Sequence, residues 1–196
     1  SGPFTYTGVL STFNVSDRTA IWAGWAAGWD TGFDQFNGGS NWIGGFEHEV
    51  SDDLTVAYVS SAGNFGLRSA GGSAYSHSIY TVADLTCRTQ YVFQTEYSHS
   101  NGFLADPSFD AENIAIVNYL FYTFSDCWKA GGRAEWLKTN TMTGESTSFY
   151  EVTGGVNYRA NDNLVIRPEV RYDWSSTDFA GDYDRLIFGV DAVLTF

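Results

Sequence analysis

Leu164-Val165-Ile166-Arg167-Pro168-Glu169-Val170-Arg171-Tyr172-Asp173-Trp174 is the stretch whose reading decides the fold. Side chains on a strand alternate between its two faces. One face therefore holds Leu164, Ile166, Pro168, Val170, Tyr172 and Trp174, and the other holds Val165, Arg167, Glu169, Arg171 and Asp173. The first face is apolar with an aromatic end; the second carries charges of alternating sign. A soluble sheet with its apolar face on a core could show this pattern. The following stretch narrows the choice. Leu186, Phe188, Val190, Ala192, Leu194 and Phe196 share one face, opposite Asp191 and Thr195. Strands of about 9–11 residues with aromatics near their ends are what a transmembrane barrel requires.

Composition agrees with this reading. Among 196 residues there are 15 Phe, 12 Tyr, 7 Trp and 21 Gly, but only 3 Pro. Aromatics suit strands and membrane interfaces, and glycine suits turns and crowded barrel walls. No apolar run of about 18 residues offers a transmembrane helix. The mean hydropathy of −0.19 does not count against a barrel, because half of each spanning strand faces water. The formal charge of −13 argues against a nucleic-acid partner, which needs a basic footprint.

Working outward, turn signals recur at Asp17, Asp52, Cys87, Asp126 and Asp162, in steps of 35, 35, 39 and 36 residues. Each step holds two strand-like runs and one longer loop rich in Gly, Asn, Asp and Ser, which are turn formers. Tight turns at one end and long loops at the other are the plan of an up-and-down outer-membrane barrel. A propeller blade would divide a similar length into four shorter strands. The reading is an all-β, transmembrane, up-and-down antiparallel β-barrel occupying 1–196 as one domain. Eleven strands are expected: 4–14, 18–29, 41–50, 53–62, 74–85, 87–98, 112–125, 127–140, 147–160, 163–174 and 185–196. In Ile114 to Phe124 both faces are apolar, and in Thr19 to Trp29 both carry Trp, so neither strand declares its inside. Eleven is odd, whereas closed bacterial barrels have an even count with both ends on the short-turn side. The chain is therefore expected to be the C-terminal portion of a larger barrel, with an odd number of strands upstream or pairing from another chain.

Several segments resemble a known family. They are Phe4 to Leu10, Gly24-Trp25 with Gly28-Trp29-Asp30, Asn118 to Tyr122, Asn161 to Ser175 and Phe188 to Phe196. Nearly the whole chain is similar to the OmpL-like outer-membrane β-barrel porins, most specifically in its last two segments. The resemblance implies a bacterial outer-membrane location and passage of small solutes.

The water-facing charges expected from alternation are Lys129, Arg133, Glu135, Glu151, Arg159, Arg167, Glu169, Arg171, Asp173 and Asp191. They form either a field that sorts ions or a mutually neutralising network that stiffens a plugged barrel. An aromatic girdle is expected from Trp128, Trp136, Tyr150, Tyr158, Tyr172, Trp174 and Phe196, with Trp22, Trp25, Trp29 and Trp42 as further anchors. Asp30, Asp34, Asp106, Asp110, Asp178, Asp182 and Asp184 read as solvated loop charges, without the spacing of a calcium loop. His48, His77 and His99 have no metal-site spacing, and His99 beside Ser98, Ser100 and Asp106 is an ordinary coincidence of polar loops. Cys87 and Cys127 sit at equivalent turns two strands apart, about 10 Å at the usual strand spacing, too far for a disulfide. No cofactor, metal or catalytic residue is expected. The expected partners are outer-membrane lipid, small hydrophilic solutes or ions, and a homo-oligomer or partner chain. The leading function is passive diffusion through a charged lumen; the alternative is a non-conducting structural or surface-interaction barrel.

Overall fold

The computed structural model describes residues 5–101, 110–140, 146–177 and 184–195. They form one antiparallel sheet in sequence order: β1 (Gly8–Ser16), β2 (Thr19–Ala26), β3 (Asn41–Ser51), β4 (Leu54–Asn64), β5 (Ser73–Thr86), β6 (Thr89–Ser100), β7 (Ala111–Ser125), β8 (Trp128–Asn140), β9 (Ser146–Asn161), β10 (Leu164–Ser175) and β11 (Arg185–Leu194). The only helical turn among the described residues is the short 3-10 segment Leu67–Ser69. Among the described residues β1 pairs only with β2 and β11 only with β10, so the sheet has two open edges.

The sequence repeat has a physical basis in its five tight turns. Ser16, Ser51, Thr86, Ser125 and Asn161 each accept a hydrogen bond from the backbone N–H two residues on. This local side-chain bond is why Ser, Thr and Asn favour such turns. The ladder register slips beside each of these residues, so every turn carries the same irregularity.

Burial is inverted relative to a soluble sheet. Phe188, Val190 and Leu194 are 70%, 63% and 65% exposed, whereas Glu151 and Asp173 are only 6% and 5% exposed. Apolar side chains in that position need lipid. Curvature says which face is inside. Ile43 on β3, Val59 on β4, Tyr80 on β5, Gln94 on β6 and Glu135 on β8 border one cavity of about 430 Å³. Only a sheet curled around that face brings those strands to a common space. The same alternation settles β7: Val117, Tyr119 and Phe121 point inward, in register with Glu135, Arg133 and Gly131, while Ile114, Ile116, Leu120 and Tyr122 point outward.

The largest boundary differences from the sequence reading lie at the start of the sheet. The first strand begins at Gly8, not residue 4, and β2 ends at Ala26, short of Trp29. Gly28 at φ +129° and Asp30 at φ +52° turn the chain out of the strand. In the middle of the sheet, β6 carries His99 within the strand, past the expected limit of 98.

Candidate functional site

Register converts the alternating signs of β10 into belts across the inner wall. Glu135, Glu151 and Asp173 stand directly opposite one another on β8, β9 and β10. One inward position toward the tight turns, Arg133, Thr153 and Arg171 form the next row. Like charges directly opposite are unfavourable. The arginines relieve this by reaching diagonally. Arg133 pairs with both Glu135 and Glu151, and Arg171 contacts Glu151 at 3.1 Å and Asp173 at 2.7 Å. Thr153 Oγ1 donates to the same Glu151 carboxylate at 2.9 Å. The side chains therefore lie along the wall.

Further toward the turns, Arg167 makes two bonds to Asp191 across β10 and β11, at 2.7 and 2.5 Å. Lys129 places its ammonium 4.8 Å over the Phe121 ring, and Arg133 lies 5.6 Å over Tyr119. Such contacts stabilise a cation by about 0.5–1 kcal/mol at exposed sites. Arg159 sits exposed at the turn end of β9 and makes no ion pair among the described residues.

Facing this wall is a pair of loops. Trp29 stacks on Phe65 at 4.0 Å and meets Tyr6 edge-on at 5.9 Å. The Trp29 backbone N–H donates to Ser69 Oγ at 2.9 Å, and the Asn37 side-chain amide donates to the Arg68 carbonyl at 3.0 Å. Asp30, Asn37, Arg68 and Ser69 all adopt positive φ, a conformation non-glycine residues hold only when their surroundings impose it. Tyr6 and Trp29 border the 430 Å³ cavity together with Glu96, Arg133 and Glu135. Burial pushes the Tyr6 hydroxyl above the usual phenol range, partly offset by hydrogen bonding with Ser61 and Asn41. An aromatic loop thus narrows the space in front of a charged wall.

The comparisons with known proteins fit this geometry. Residues 1–196 match the family model described as Putative beta-barrel porin-2, OmpL-like. The chain belongs to that family. No curated protein matches in sequence. Solved structures share the fold. Outer-membrane OmpT of Vibrio cholerae is 12% identical with a TM-score of 0.69, covering 96% of this chain and 64% of its own. A refined porin structure is 12% identical with a TM-score of 0.66, covering 95% and 60%. The NanC porin is 9% identical with a TM-score of 0.55, covering 96% and 92%. The chain spans about three fifths of the length of OmpT. This OmpL-like porin is a protein of the bacterial outer membrane.

In the barrel of the OmpL-like porin, two aromatic rows flank the outer apolar band. Trp136, Tyr150 and Trp174 are in register near the long loops, with Tyr150 and Trp174 stacked at 5.2 Å and Tyr172 and Trp174 at 5.4 Å. Trp128 and Tyr158 stack at 4.5 Å near the tight turns. Trp128 and Trp136 are 8 residues apart, about 27 Å of strand and roughly 20 Å of membrane depth at a tilt near 40°. Trp25 and Trp42 are paired on the same outer face. Phe196 lies outside the described residues, as do Asp106, Asp178 and Asp182.

Two anchors read from the sequence are corrected. Trp22 points inward, its indole lying over Gly45, whose missing side chain makes the room. Trp29 is not on a strand at all; the Gly28 turn carries it into the loop that faces the lumen. Sequence reasoning missed Tyr6 and Tyr119 as lumen residues, whereas Glu96 shares its strand face with Gln90 and Gln94, opposite Tyr91, Phe93 and Tyr97. Tyr119 had a local signal in its spacing of 2 from Phe121. The histidines are on the outer face, where His77 Nδ1 and the Tyr58 hydroxyl are hydrogen-bonded at 2.6 Å. Cys87 and Cys127 are free and exposed.

Proposed function

We propose that this OmpL-like porin is a passive diffusion pore for small hydrophilic solutes, without a catalytic step. The observation that carries the reading is the diagonal pairing of the inner-wall charges. It pins the long arginine side chains flat, so a polar surface borders open space. Water-facing charge of this density has no place in a dry interior. The formal charge of −13 favours cations over anions.

The two open sheet edges extend this proposal. Unpaired backbone groups in hydrocarbon cost several kcal/mol each, about enough to forbid a bare edge. Further strands of the same protein, an odd number by the parity argument, or a strand from another chain would close the barrel around this single domain. A Vibrio cholerae OmpT structure is described as a trimer form, and a homo-oligomer belongs to the same reading.

Planar-bilayer recording tests it. Insertion is expected to give discrete conductance steps, grouped in threes for a trimer, with a reversal potential favouring potassium over chloride. Trp29→Ala, which removes the ring bordering the constriction, is expected to raise the step size. The rival reading, a plugged surface-interaction barrel, predicts membrane insertion with no steps, and that result would remove the pore.

A further inference from the structure

Between the arginine row and the tight turns, neighbouring strands set Gly131, Gly155, Glu169 and Gly189 side by side on the inner wall. Three of these positions have no side chain, and a hollow of about 480 Å³ opens there. Tyr119 and Phe121 close it toward β7, Arg133 and Thr153 bound its loop side, and Asn157 bounds its turn side with the Arg167–Asp191 pair.

The charges on its rim are answered, with one exception. Arg133 is held by two carboxylates, and Arg167 by Asp191 through two bonds. Glu169 makes no ion pair within 4.0 Å among the described residues, although Arg167 feels its field. Its carboxylate leans over bare backbone: Oε1 lies 3.5 Å from where a Cβ on Gly189 would stand. The local charge balance points the same way. The belt holds three carboxylates against two guanidiniums, Lys129 offsets the excess, and Arg167 cancels Asp191. Glu169 remains as the carboxylate on this rim without a cation partner among the described residues.

We propose that this hollow is a subsite for small solutes bearing a primary ammonium group. Glu169 accepts from the ammonium, and the Gly131–Gly155 floor takes the carbon body. The proposal rests on the open-lumen reading above, and two measurements separate them. The first is calorimetric titration of 1,4-diaminobutane into the folded, detergent-solubilised protein at low salt. The second is the same probe applied in bilayer recordings.

Saturable binding to the unsubstituted protein is expected. Glu169→Gln is expected to weaken it at least about tenfold, since a hydrogen bond to a charged group is of that order. Gly189→Val keeps the carboxylate but fills the floor beside it, and a comparable weakening is expected. Asp191→Asn frees Arg167 to occupy Glu169 and weakens binding again, so a folding failure in one variant leaves the others decisive. No saturable binding, or unchanged affinity in Glu169→Gln, overturns the subsite. Binding that follows these expectations in a protein that never conducts keeps the subsite and removes the pore; conductance with binding indifferent to Glu169 does the reverse.

Discussion

An arginine at Val156 is expected to destabilise the folded protein in bilayers by about 2–4 kcal/mol, the known cost of that charge on a lipid face near the midplane. Val156 lies 6 residues from the tight turn at Asp162 and 6 from Tyr150 of the upper aromatic row. It pairs with Ala130 on the outer face. The same arginine at Asn157, one residue on, enters the inner wall beside Lys129. There it meets water and like charge, and the expected cost is under about 1 kcal/mol. Urea titration of the folded fraction in liposomes, read by gel mobility, measures both. Equal costs at the two positions would mean that the faces are wrongly assigned.

The second large effect concerns Arg171. The belt holds Glu135, Glu151 and Asp173 against Arg133 and Arg171, three negative charges to two positive. Arg171→Leu leaves three carboxylates with one arginine, and the Glu151 and Asp173 side chains are only 7% exposed. Removing one partner of a fully buried pair costs about 3–5 kcal/mol. Arg171 itself is 41% exposed, so solvent screening reduces the expected loss to roughly 2–3 kcal/mol. Deleting Asp173 as well, in Arg171→Leu with Asp173→Leu, removes the buried carboxylate that would otherwise lose its arginine partner, and is expected to restore more than half of the loss. A double variant that costs the sum of its singles would show that the two groups do not act together.

Much of the fold was legible because strand alternation survives in a barrel. Leu164 to Trp174 separates its faces without help from any neighbour, and the Ser, Thr or Asn at each tight turn marks the repeat. The belts were not legible, since they depend on register. Along β10 the signs alternate, and only pairing with Glu151 and Thr153 sorts acid from base across the wall. Trp22 and Trp25 could not be told apart, because glycine positions on the neighbouring β3 decide which face has room for an indole. Trp29 was read as an anchor because tryptophan near a strand end usually is one. Its inward position comes from left-handed backbone at Asp30 and from Ser69 and Phe65, which are distant in sequence. In β7 both faces are apolar, and the inner one is explained by what it serves: Phe121 and Tyr119 carry cations from β8.

Nitroxide labels at positions 152 and 153, in protein with Cys87 and Cys127 replaced by serine, test the central claim most directly. Val152 is 49% exposed on the outer face, and Thr153 lies between the arginines of the inner wall. In liposomes the label at 152 is expected to collide with oxygen dissolved in lipid, and the label at 153 with a water-soluble nickel chelate. The reverse pattern would contradict a barrel that turns its apolar side to lipid and its charges to water.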